Sequence, residues 1–185
     1  CSLDNNSDIT FRILTVDDEQ SILDSYRSVL LDTNAANDSI GEAQQLASGL
    51  FGDGECDQET SDLLAFEVVQ CRQGDEAIDA VGDSIEKGVP FSVAFIDIRM
   101  PPGPDGVWTA EKIRELDKDI QIVIVTGYSD INPLEIAKRV GPPDKLLYTQ
   151  KPFHRHELLQ YASALSAKWF SEKQLRGTFN EITEL

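Results

Sequence analysis

Cysteine is scarce in this 185-residue chain. Cys1, Cys56 and Cys71 are an odd set with no Cys-x-x-Cys spacing, which argues against a disulfide scaffold and against a zinc site. Reduced thiols lead to the expectation of a cytoplasmic protein. Long apolar runs are also missing. None approaches the roughly 20 residues of a membrane-spanning helix, and no signal peptide is visible. Basic residues are few: Lys and Arg total 16 against 33 Asp and Glu, for a formal net charge of −17. A surface of that sign repels nucleic acid and anionic membranes, so neither is expected as a direct partner. Between Arg27 and Arg72 there is no Lys or Arg at all. The first residue is Cys1 rather than Met, as in a fragment or a processed form.

The apolar content, 41%, suffices for one domain with a full core. It is concentrated in short runs that end alike. Phe91-Ser92-Val93-Ala94-Phe95-Ile96 runs into Asp97. Residues 11–16 run into Asp17-Asp18, residues 120–125 into Thr126-Gly127, and residues 146–150 into Lys151-Pro152. Runs this short and rich in β-branched and aromatic residues read as buried parallel strands. A charge belongs at the carboxyl end of such a strand, the edge where open α/β sheets bind ligands.

Helical stripes alternate with these runs. Ile22, Leu23, Tyr26, Val29 and Leu30 mark the first. Ala77, Ile78, Val81 and Ile85 mark a helix over 74–87, turned inward and stopped by Gly88. Val107, Ala110, Ile113 and Leu116 mark another over 107–117, followed by a short helix over 133–140 and a last one from Arg155. With a further strand at 65–71, the pattern predicts (βα)5. This is a doubly wound, flavodoxin-like sheet of five parallel strands, for which the order 2-1-3-4-5 is taken by analogy with other sheets of this alternation.

The predicted boundaries are a loose segment over 1–8, a folded unit over 9–170 with an acidic insertion at about 32–65, and a helical linker over 171–185. In the insertion, Asp53, Glu55, Asp57 and Glu59 alternate. A calcium loop counted from Asp53 would need Gly at its sixth position and Glu at its twelfth, where Gln58 and Leu64 stand. A solvated acidic insertion is the reading preferred. In the linker, Leu175, Phe179 and Ile182 recur at 4-3 spacing, as in a coiled-coil seam that Gly177 weakens. That suits a homodimer through the C-terminal helix or a connector to a downstream output domain; a frayed tail is the alternative.

At the sheet edge, Asp17, Asp18 and Asp97 held together would repel one another until a proton or a cation neutralises them. Mg2+ suits oxygen ligands of this kind. Asp18 and Asp97 are the expected direct ligands, with Asp17 acting through water and the backbone carbonyl of Arg99 completing the set. Asp97 can then be the nucleophile toward a phosphoryl donor, with Lys151 and Thr126 holding the phosphoryl oxygens. Each residue alone has a plain structural role, Asp17-Asp18 as a helix cap for instance. The joint pattern carries the specificity.

These residues resemble the receiver domain of two-component response regulators. The matching stretches are Val16-Asp17-Asp18-Glu19, Phe95-Ile96-Asp97-Ile98-Arg99-Met100-Pro101, Asp105-Gly106, Val125-Thr126-Gly127 and Lys151-Pro152-Phe153. The resemblance implies a phosphorelay in which a sensor histidine kinase or phosphotransfer protein donates a phosphoryl group to Asp97. It implies Mg2+ held by Asp17 and Asp18, a Thr126–Tyr148 switch, and a cis bond before Pro152. It also implies no enzyme activity beyond the domain's own Mg2+-dependent phosphorylation and dephosphorylation. The change would be relayed through the helix 4, strand 5 and helix 5 face.

Two departures stand out. The loop from Asp97 to Asp105-Gly106 is one residue longer than usual, and the insertion is extra; both are similar to receivers attached to histidine kinases or diguanylate cyclases. Arg99 and Tyr128 occupy positions that affect phosphoryl lifetime in the family, and their bulk predicts slow self-hydrolysis. An aspartyl-phosphate phosphatase would need a second Asp where Arg99 stands. An interaction module that is never phosphorylated would not need the full residue set. His154 and His156 read as exposed residues at a helix start.

Overall fold

The computed structural model describes residues 9–31, 65–127 and 132–183, the last five as backbone alone. The sequence segments expected to be loose or inserted, 1–8 and most of 32–65, lie outside these residues, as does Tyr128.

Five parallel strands form one sheet in the order β2-β1-β3-β4-β5. They are β1 (Thr10–Val16), β2 (Ala65–Cys71), β3 (Val93–Asp97), β4 (Gln121–Thr126) and β5 (Leu146–Gln150). Between them run α1 (Gln20–Leu31), α2 (Gly74–Glu86), α3 (Gly106–Leu116) and α4 (Pro133–Val140); α5 (Arg155–Thr183) closes the described chain. A single 3-10 turn, Pro143–Lys145, leads into β5. The expected fold class and strand order are those observed.

Both faces of the central strands are buried, so their residues sort by parity. Leu14, Val16, Ala94, Ile96, Ile122 and Ile124 meet Ala77 and Val81 of α2, Ala110 and Ile113 of α3, and Ile136 and Val140 of α4. Phe11, Ile13, Val93, Phe95, Val123 and Val125 meet Tyr26 and Leu30 of α1, and Leu158 and Ala162 of α5. This explains why the strands read as continuous apolar runs rather than alternating ones.

Local chemistry sets the helix ends. The Asp105 carboxylate accepts the Trp108 backbone N–H at 2.8 Å to cap α3, and Asn132 caps α4 through the Leu134 N–H at 3.1 Å. Gly88 takes the left-handed conformation (φ 70°) just past α2. Two stripe readings need correction. Ile85 and Leu116 are exposed, at 40% and 47%, not inward. Each lies in the last turn of its helix, beyond the amino end of the sheet, where no strand remains to cover it. Phe91 and Ser92 are buried but precede β3.

The register fixes the functional edge. Val16 pairs with Ile96 and with Cys71, Asp97 with Val125, and Thr126 with Gln150. Asp17, Asp97, Thr126 and Lys151 therefore emerge side by side at the carboxyl edge of adjacent strands.

Candidate functional site

Lys151 is the hub of this edge. Its ammonium donates to Asp17 Oδ2 at 2.6 Å and stands 3.3 Å from Asp97 Oδ2. Its backbone N–H donates to the Thr126 carbonyl at 2.7 Å, which extends the β4–β5 pairing one residue past the strand and fixes the base of the side chain. The bond to Pro152 is cis, as are Pro101–Pro102 and Gly141–Pro142.

Asp17 is almost wholly buried, 1% exposed, and accepts the Glu19 backbone N–H at 3.0 Å through its other oxygen. Its own N–H donates to the Cys71 carbonyl at 3.2 Å. Asp97 is also buried. The loop after it is held by two backbone bonds, Ile98 N–H to the Val125 carbonyl at 3.2 Å and Gly106 N–H to the Ile98 carbonyl at 2.9 Å. Here the Asp105-Gly106 pair acquires a physical reason. A Cβ on Gly106 would lie 1.9 Å from the Asp97 carbonyl oxygen, so the start of α3 can seat behind the Asp97 loop only without a side chain.

The electrostatics match this crowding. Burial raises the Asp97 pKa and the Asp17 charge adds to it, with Lys151 opposing both in part. Burial alone would lower the Lys151 pKa. The hydrogen bond to Asp17 and the charges of Asp97 and Asp17 outweigh that, and the net shift is upward. Lys151 is thus held cationic between two carboxylates. Oxygens of Asp17, Asp18 and Asp97 lie within 4.8 Å of one another, close enough for a single cation. An all-carboxylate donor set of three, against the single Lys151 ammonium, leaves two negative charges uncompensated and fits a hard divalent ion such as Mg2+. The three line a cleft of about 330 Å³ together with Ile98, Arg99, Thr126 and Lys151.

The residues predicted from sequence therefore gather in one place: Asp17, Asp18, Asp97, Thr126, Lys151 and Arg99 all face the same cleft. Tyr148 lies back along β5. It is partly exposed, and its hydroxyl donates to the Pro133 carbonyl at the start of α4, 2.9 Å away. His154 and His156 are exposed. Sequence reasoning missed two features. Asp17, not only Asp97, bonds Lys151. Tyr26, buried on α1, packs its ring 5.5 Å from Phe95 and 4.9 Å from Phe153, between the chain segments that carry Asp97 and Lys151.

A family model for the response regulator receiver domain matches residues 55–163. The chain belongs to that family. This receiver domain is 32% identical over 111 residues to the C4-dicarboxylate transport transcriptional regulatory protein DctD of Rhizobium meliloti, covering 60% of this chain and 22% of that protein. It is 26% identical over 93 residues to sporulation initiation phosphotransferase F of Bacillus subtilis, covering 50% of this chain and 68% of the relative. It spans 51% of the regulatory protein CitT of Halalkalibacterium halodurans and 41% of the photosynthetic apparatus regulator RegA of Cereibacter sphaeroides. Those relatives are therefore longer than the receiver fold itself. Among solved structures, a CheY-like receiver domain from Methanospirillum hungatei superposes with a TM-score of 0.61 at 21% identity, covering 89% of this chain and 99% of that one. A Rhodopirellula baltica structure described as an adenylate cyclase superposes at 0.62 and 21% identity, covering 93% and 98%. The place of a receiver domain in a phosphorelay is that of phosphoacceptor.

Proposed function

We propose that Asp97 is the phosphoacceptor, that Asp17, Asp18 and Asp97 hold Mg2+ together with the Arg99 carbonyl, and that Lys151 and Thr126 bind the transferred phosphoryl group. The observation that carries this reading is the Lys151 ammonium, bonded to Asp17 and facing Asp97 across a cleft lined by Thr126. An Asp97 carboxylate oxygen attacks phosphorus in line. The new P–O bond forms as the P–N bond of a phosphohistidine breaks, and the electron pair stays on the leaving imidazole nitrogen. Lys151, already cationic, turns from the carboxylates toward the phosphoryl oxygens with no proton to move. The Thr126 hydroxyl donates to another of those oxygens. Mg2+, when bound, supplies charge neutralisation for the carboxylates and the phosphoryl group alike.

The donor is a sensor histidine kinase or a phosphotransfer protein. The chain acts on no separate substrate in this reading. The domain works in the cytoplasm, with no direct nucleic-acid contact. Output follows when Thr126 engages the phosphoryl group and Tyr148 leaves its bond to Pro133, which alters the face made by α4, β5 and α5. The end of α5 leads to a second copy or to an output domain. Beryllofluoride, a phosphoryl mimic, tests the site directly. With Mg2+, fluorine NMR is expected to show a bound signal in the native chain and none in Asp97→Asn. A bound signal that persists in Asp97→Asn contradicts the assignment.

A further inference from the structure

The helix that leaves the domain is fastened at the opposite edge of the sheet, by a second lysine. Lys145, just before β5, is 7% exposed, and its ammonium lies 3.1 Å from Asp119 Oδ1 and 3.1 Å from Glu172 Oε2. Asp119 stands just before β4, and Glu172 belongs to α5. The other contacts close a ring. Asp119 pairs with Arg176 at 2.5 Å, Glu172 with Lys168 at 3.3 Å, Lys168 donates to the buried Gln121 side chain at 3.3 Å, and the Gln121 amide donates back to the Asp119 carbonyl at 3.3 Å. Two turns of α5 are thus bound to the first residue of β4 and to the residues that lead into β4 and β5. The far ends of those strands carry Thr126 and Lys151.

Exposed ion pairs hold little, but a buried ammonium cannot give up its partners cheaply. The fastening is therefore strongest at Lys145–Glu172 and ends at Arg176, which is 59% exposed in its side chain. The next residue is Gly177, the poorest helix former in the segment, with open space where its Cβ would be. Leu175, in the same turn, is 62% exposed.

We propose that the Lys145 ring is a splint. It makes α5 a rigid part of the receiver through Arg176, later than the boundary at 170 expected from sequence, and it sets the joint with whatever follows at Gly177. A second copy or output domain carried on residues beyond 177 is then aimed by β4 and β5, and the joint is the point where that aim can relax.

Hydrogen exchange on the whole chain, read by mass spectrometry, tests this without any phosphoryl donor. Peptides within 168–176 are expected to exchange slowly in the native chain and those beyond 177 faster. Lys145→Met speeds exchange in 168–176 roughly tenfold, and Gly177→Ala slows it beyond 177 roughly fivefold. Should Lys145→Met not fold, Glu172→Gln decides, because it leaves Lys145 its Asp119 partner. Unchanged protection of 168–176 in the folded Lys145 or Glu172 variant overturns the splint. Equal protection on both sides of Gly177 in the native chain overturns the joint. Beryllofluoride affinity is expected to stay within about twofold of native in all three variants, since the edges are separate sites. A chain that binds no beryllofluoride yet exchanges in this pattern would sink the phosphoacceptor reading and leave the splint standing.

Discussion

Lys145 and Lys151 flank the same strand, β5, and each bridges two carboxylates, yet the two ends of that strand do different work. At the amino end, Lys145 is matched by Asp119 and Glu172, and further cations from α5 close the ring. Burial pushes the Asp119 pKa up, but hydrogen bonds and charge from Lys145 and Arg176 more than reverse this, so it stands below the ordinary range. At the carboxyl end, one ammonium faces an excess of carboxylates, and the Asp97 pKa is held above the ordinary range. The amino end is balanced, with Lys145, Lys168 and Arg176 set against Asp119, Glu172 and Asp144, the last 3.7 Å from Lys168. The carboxyl end is left net negative, with three carboxylates against one ammonium. The difference shows that the two ends of one strand can carry a charge-balanced edge and an edge where the charges do not cancel, the kind of place where perturbed groups and functional sites cluster.

Exchanging the roles of the lysines is the strongest way to break the comparison. Lys151→Ala is expected to slow phosphorylation of the domain by acetyl phosphate by roughly 10²–10³-fold. Lys145→Met is expected to leave that rate within about twofold and to cost about 2 kcal/mol in urea unfolding. Equal effects of the two on phosphorylation would erase the distinction.

A smaller effect tests how the scaffold supports the site. Gly106→Ala forces a methyl group onto the Asp97 carbonyl, and is expected to cost about 2–3 kcal/mol of stability and to slow phosphorylation. A neutral result in thermal unfolding would mean that α3 does not seat the Asp97 loop.

The smallest effect, and the sharpest in sign, concerns pH. A carboxyl with a raised folded pKa stabilises the protein at low pH and loses that contribution as pH rises through the folded value. Ionised Asp97 is therefore a cost at neutral pH without Mg2+, and Asp97→Asn should raise Tm at about pH 7. The gain should vanish only below the ordinary Asp value, by about pH 3, where the carboxyl is protonated both folded and unfolded. Asp119 has the opposite sign. Its contribution is present above its unfolded value and is lost as pH falls through the lowered folded value. Asp119→Asn should therefore lower Tm at neutral pH, with the deficit shrinking in acid. Scanning calorimetry of both variants across pH checks the two signs together.

The carboxyl edge was legible in the sequence because strand ends are local. An apolar run stops at a charge, and parallel topology then gathers Asp17, Asp97, Thr126 and Lys151 without further information. The strands and the helices followed from the same periodicity, and the order of the strands in the sheet from analogy with other (βα)5 sheets. The amino edge was not legible. Its ring joins Asp119, Lys145 and Glu172, whose spacing in the chain has no period, and each residue alone reads as surface charge. Ile85 and Leu116 were misread for a related reason: their stripe continues in sequence past the point where the sheet ends in space. The shorter of the two Lys151 ion pairs, to Asp17, depends on side-chain reach within the cleft, which spacing does not encode.

The most direct measurement is the site of phosphorylation. The purified chain is treated with acetyl phosphate, with Mg2+ or with a chelator in its place, and the product is mapped by peptide mass spectrometry. A single phosphoryl group on Asp97, present only with Mg2+ and absent in Asp97→Asn, is the predicted result. A phosphoryl group on any other residue, or equal labelling without the metal, would contradict the account.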